Sequence, residues 1–199
     1  MSKFGDEQQG GQTFVTVFGG KLVTRVNEGD QGAVARQLTA GANEGKTVWE
    51  RMYSSVQGMI TGGGIVLKEF GAKKVKEIHI NLDDDVLLQL PMNLLSHFGK
   101  VIPNIDRTEP VKVSVYKNKK GKTGLNVSQG GDELKWFYTK EAPNGLPQPE
   151  FEDGEWDFRD HDKFLIASVK EFFADYSKAP EVAQDAPEGF EEAPEEIPF

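Results

Sequence analysis

Four lysines, Lys117, Lys119, Lys120 and Lys122, fall within six residues, with no acid among them. Such a cluster on a turn is suited to tracking a chain of phosphates, where each contact releases condensed counterions. Aromatic side chains beside cations supply the complementary chemistry, because every nucleobase offers a π-face to stack on. Two stretches provide it: Trp49, Arg51 and Tyr53 at a spacing of two, and Lys135, Trp136, Phe137 and Tyr138 followed by Lys140. Arg36, Lys46 and Tyr116 are further candidates for the same surface. Successive side chains of a strand point to opposite faces, so Trp136 and Tyr138 cannot face the way Phe137 does, and part of that cluster must be core.

Catalytic chemistry is poorly supplied. Gly62-Gly63-Gly64 lacks the lysine and Ser/Thr of a phosphate-binding loop and is expected to be a turn. Asp83-Asp84-Asp85 has no converging histidine and is expected to be a solvated turn rather than a metal site or a nuclease centre. His79, His97 and His161 are scattered, with no spacing for ligation or a triad. The chain has no cysteine, which excludes a disulfide framework, a zinc ribbon and a cysteine nucleophile. No enzymatic activity and no cofactor are expected.

The elements that must position the candidate residues follow from periodicity. Thr13 to Val26 predicts two strands about Gly19-Gly20, and a further strand lies near residues 32–36. Lys46 to Phe70 alternates as a long strand bent at Gly58, with Ile65 to Phe70 returning after the glycine turn. Val75 to Leu82 and Val86 to Leu90 flank the three aspartates. Pro91 opens a helix over Met92 to Val101, striped by Leu94, Leu95 and Phe98 and stopped by Pro103. Val111 to Tyr116 and Gly124 to Gln129 form a hairpin with the lysines at its tip, and Leu134 to Thr139 predicts one more strand. After a connection rich in proline and acids, Asp160 caps a helix reaching Tyr176, with Leu165, Val169, Phe172, Phe173 and Tyr176 on one face.

Strands, one helix, then a hairpin is the order of an OB-fold, a five-stranded Greek-key barrel with its helix between the third and fourth strands. A β-sandwich is the alternative. The expected fold is thus mainly β: a flexible N-terminus over 1–12, the barrel with additional N-terminal strands over 13–145, a connection and amphipathic helix over 146–178, and a disordered acidic tail over 179–199.

Charge is divided between these regions. The net charge of −9 hides 19 Lys+Arg against 16 Asp+Glu in residues 1–149, and 4 against 16 in residues 150–199. A basic body with an acidic tail is one sign of a nucleic-acid binder. The tail, too poor in apolar surface to order itself, still carries Phe190, Ile197 and Phe199. Its seven acids beyond residue 179 can occupy the basic face when nucleic acid is absent. The start of the chain is polar and no run of 18 apolar residues occurs, so neither a signal peptide nor a membrane span is expected, and the location expected is cytoplasmic.

The end of the chain, Glu195, Glu196, Ile197, Pro198, Phe199, resembles the C-terminal tip of bacterial single-stranded-DNA-binding proteins. The body is similar to the OB-fold single-stranded-DNA-binding proteins of tailed bacteriophages, over Gly45 to Ile60, Val86 to Pro91, Tyr116 to Val127 and Trp136 to Glu150. These resemblances imply a protein that coats single strands without sequence preference during phage replication, recombination and repair in an infected host. They also imply a homodimer, and recruitment of phage or host replication and repair proteins through the tip. The rival expectation is an acidic DNA mimic that binds a host DNA-processing protein and no DNA.

Overall fold

Residues 13–26 form the expected hairpin, with β1 (Thr13–Phe18) antiparallel to β2 (Lys21–Val26) and Phe18 opposite Lys21. Both turn glycines have positive φ, 60° and 78°, as a two-residue turn between right-twisted strands demands. The structure, a computed structural model, describes residues 12–39, 43–70 and 73–176. Residues 1–11 and the acidic tail with its tip lie outside the described residues. Of the described residues 47% are strand and 18% helix, the mainly β composition expected.

Along the chain follow β3 (Val34–Gln37), β4 (Thr47–Tyr53), β5 (Ser55–Gly58), β6 (Ile60–Phe70), β7 (Lys73–Leu82) and β8 (Val86–Pro91). After a helical segment come β9 (Val111–Lys117), β10 (Thr123–Gln129), β11 (Asp132–Glu133), β12 (Glu150–Glu152) and β13 (Glu155–Asp157). One mixed sheet has the order β3-β4-β2-β1-β8-β7-β6, a second the order β11-β10-β9-β5, and β12 pairs with β13 alone. The pairing of β1 with β8 is parallel.

The long run from Thr47 to Phe70 lends its two ends to the large sheet and its middle, β5, to the small one. The bend falls at Gly58, as expected. Met59 N–H donates to Asp83 Oδ1 at 2.7 Å, and Asp83 N–H donates to the Met59 carbonyl at 2.9 Å. A Cβ on Gly58 would sit 2.9 Å from Asp83 Oδ2, so only glycine lets the aspartate clasp the bend. Asp83 and Asp84 turn β7 into β8 at positive φ, a conformation aspartate tolerates.

The glycines 62–64 do not form a turn; they lie within β6. Their smoothness serves packing. A Cβ on Gly63 would lie 2.5 Å from the ring of Phe173, which belongs to α2 (Arg159–Ala174). The expected strand over 134–139 is also absent, because its backbone finds other partners. Leu134 N–H donates to Val127, Phe137 N–H donates to the Lys100 carbonyl, and Asn104 and Asn144 side chains donate to the carbonyls of Lys135 and Phe137.

Pro91 introduces a 3-10 turn, and α1 proper covers Leu95–Val101, with Pro103 inside the 3-10 turn that follows. Asp160 does not cap α2. Asp157 Oδ1 accepts the Arg159 N–H and starts the helix earlier, leaving Asp160 and Asp162 in the first turn, where their charge complements the helix dipole. The apolar face of α2 is as expected and docks on this chain's own body. Gly99 of α1 lets Leu165 approach, and Phe98 stacks on Phe173 at 6.3 Å between centroids.

Ile78, Ile80, Leu88, Leu90, Val113, Phe98, Leu165 and Val169 are fully buried in one cluster spanning both sheets and both helices. Each such side chain contributes about 1.5–3 kcal/mol of burial. That core fixes which face of the large sheet is left to solvent. Among the described residues no helix is long and apolar enough to cross a membrane.

Candidate nucleic-acid interface

Alternation along β1 sends Val15 into the core and Phe14, Thr16 and Phe18 outward. Phe14 is 55% and Phe18 47% exposed, unusual for phenylalanine on a regular strand. They line a groove of about 500 Å³ on the outer face of the large sheet, with Val23 and Arg25 from β2, Arg36 from β3, Glu50 from β4 and Gln89 from β8. Ligand-binding clefts typically span roughly 300–1,000 Å³.

The cations of the groove are held differently. Arg36 donates two hydrogen bonds to Glu50, Nε to Oε2 at 2.7 Å and Nη2 to Oε1 at 2.6 Å. Those bonds and the charge of the buried Glu50 hold the Arg36 guanidinium above its ordinary pKa. They also fix it 4.1 Å from the Phe18 ring centroid, which sets the orientation of that ring. Arg25 is exposed and has no ion-pair partner among the described residues.

The lysine loop stands at the Phe18 end of this groove. A Cβ on Gly20, in the β1–β2 turn, would meet Lys117 Cγ at 2.6 Å, so the lysine stem crosses the hairpin tip. Asn118 frames the loop: its Oδ1 accepts the N–H groups of Lys120 and Lys122 at 2.9 and 3.0 Å, and its own N–H donates to the Lys122 carbonyl. Lys117, Lys119, Lys120 and Lys122 are all exposed, and none has an ion-pair partner among the described residues. The loop therefore abuts the tip of the hairpin whose rings line the groove.

The other sequence candidates scatter. Trp49, Arg51 and Tyr53 share a face, as expected, but register pairs them with Val26, Thr24 and the core residue Leu22, which places them on the side of the sheet opposite the groove. All three are half-buried, Tyr53 against the core. Lys46 sits in the turn before β4, donating to Asn43 Oδ1. Tyr116 is exposed on the small sheet, its ring lying over Gly124.

Lys135 and Trp136 lie beside α1, with Lys100 Nζ 4.9 Å from the Trp136 ring centroid and Asn104 donating to the Lys135 carbonyl, and neither lines the groove. Tyr138 is buried, edge-on to Phe164, and lines a separate cavity beside α2 rather than the groove. Of the sequence candidates, the structure thus brings Arg36 into the groove and the lysine loop beside its hairpin, and places the tryptophans elsewhere.

Phe14, Phe18 and Arg25, which line the groove, are not among the sequence candidates. The signal was present: in TFVTVF two phenylalanines four apart must share a face, and the valines between them claim the core. The far end of the same outer face neutralises itself, since Lys68 binds Glu77 at 2.6 Å and Gln89 at 3.1 Å, and His79 meets Glu77 at 3.2 Å. No group of three or more histidine, aspartate or glutamate side chains arranged to hold a metal ion occurs among the described residues. A comparison of the chain with known protein families, with curated proteins and with solved structures returns no match, so the groove and its lysine loop carry the functional argument by themselves.

Proposed function

We propose that this chain binds single-stranded DNA without sequence preference. The observation that carries the reading is the pairing of two exposed rings, Phe14 and Phe18, with unpaired cations on one open surface. Bases would stack on the rings while Lys21, Arg25 and the four loop lysines follow the backbone.

The fold supports the same reading. The bent run β5–β6, then β7, β8, α1 and the β9–β10 hairpin follow the OB-fold order, with β5 pairing β9 across the bend. Such a barrel would close by joining β8 to β10. Here β8 takes β1 and β10 takes β11 instead, so we read the body as an opened barrel in which an N-terminal hairpin is added beside the third strand, β8. That added hairpin supplies both rings. The setting we propose is phage DNA replication, recombination and repair in the host cytoplasm.

Fluorescence titration of oligo-dT and of duplex, with rising salt, tests the function. Six free cations predict a slope of log K against log salt of about −4 for the single strand. Tight duplex binding, or a slope near zero, would reject it. The tail separates from this surface in the proposal, with Glu195, Glu196, Ile197, Pro198 and Phe199 recruiting partners. Removing Phe199 should leave the DNA isotherm unchanged and abolish capture of tail-binding replication proteins; loss of both activities together would contradict that division.

A further inference from the structure

Among the described residues the β12–β13 hairpin pairs with no other strand. A lone two-stranded hairpin is marginally stable in water, yet this one holds Phe151 opposite Trp156 with ring centroids 5.2 Å apart, 59% and 61% exposed. Residues 150–158 carry Glu150, Glu152, Asp153, Glu155 and Asp157 and no cation. So acidic a frame, of which Arg159 pairs only Asp157, disfavours a phosphate backbone. It suits a cationic, aromatic cleft.

The groove on the large sheet is such a cleft: open, ring-lined, and basic at Arg25 and toward the adjoining lysine loop, Arg36 being neutralised by Glu50. We infer that the β12–β13 hairpin is an arm that seats Phe151 and Trp156 in the outer groove of a second copy of this chain, and that single-stranded DNA displaces it. Reciprocal seating closes a two-fold pair, and one-way seating continues into longer assemblies. Only the displacement rests on the function proposed above; the seating rests on charge and on the exposed rings.

Sedimentation velocity on the full chain at low salt, over a concentration series, tests the seating. Association should grow with concentration and weaken roughly 30-fold or more in Phe151→Ala/Trp156→Ala, the loss expected for central aromatic anchors. Both rings are exposed on an isolated hairpin, so the core is untouched. Arg25→Glu should also give monomers, and combining it with Glu152→Lys/Glu155→Lys should restore association. A monomer at every concentration, or association indifferent to these changes, overturns the proposal.

Adding oligo-dT should dissolve the assembly. Oligo-dT bound to an intact assembly overturns the displacement. Failure of oligo-dT to bind, with arm-dependent association preserved, rejects the DNA function and leaves the seating standing.

Discussion

Replacing Phe14 and Phe18 together by alanine should weaken oligo-dT binding by ~30-fold to ~10⁴-fold, because each stacked base typically contributes about 1–3 kcal/mol by alanine substitution. The two positions are not equivalent. Phe18 carries Arg36 over its face at 4.1 Å, so its loss also removes the surface against which that guanidinium is held. Phe14 has only its neighbours in the groove. Phe18→Ala alone should therefore cost more than Phe14→Ala, and the double variant less than their sum if one base spans both rings.

The fold should survive, since both side chains are about half exposed and their backbone pairing with β2 and β8 is unaffected. Salt dependence separates ring from charge: the slope should stay near its original value while the isotherm shifts bodily. Unchanged affinity at intact fold would remove the groove from the binding surface. Trp49→Ala is the matched control, expected to leave binding unchanged because Trp49 lies on the opposite side of the sheet.

How much of this was legible in the sequence depends on the range of the forces involved. The β1–β2 hairpin, the bend at Gly58, the lysine-tipped hairpin and the apolar face of α2 were all legible, because each is written in local periodicity or in a turn residue. What the alternation rule could not say was which face of β4 is inner. That is decided by Leu22 and Val15, buried strands away, and choosing Trp49 with Arg51 selected the inner side. The same long-range contacts explain the residues 134–139, whose strand-like composition yielded to bonds with the end of α1. Arg36 was found for its charge, but its orientation depends on Glu50, fourteen residues away, which sequence alone treats as one more acid.

Gly63→Val should destabilise the protein by roughly 3 kcal/mol or more, the combined scale of overpacking and backbone strain. The glycines at 62–64 resemble turn punctuation, yet β6 runs straight through them, and the reason is steric. A Cβ at residue 63 would lie 2.3 Å from the His79 carbonyl oxygen and 2.5 Å from Phe173, at a φ of 156°. Either β6 must part from β7, or α2 must lift its phenylalanine from the sheet. Because Phe173 also stacks on Phe98 of α1, lifting it disturbs both helices.

Chemical denaturation should report the loss as a lowered midpoint, and limited proteolysis should cut earlier near α2. Gly63→Ala combined with Phe173→Leu should cost less than the two changes added, since the smaller side chain vacates the space the methyl needs. Molecules that remain folded should bind oligo-dT as before, because residue 63 pairs with the buried Ile80 and both face away from the groove. An unchanged midpoint in Gly63→Val would mean that the close approach of α2 to the sheet does not hold this fold together.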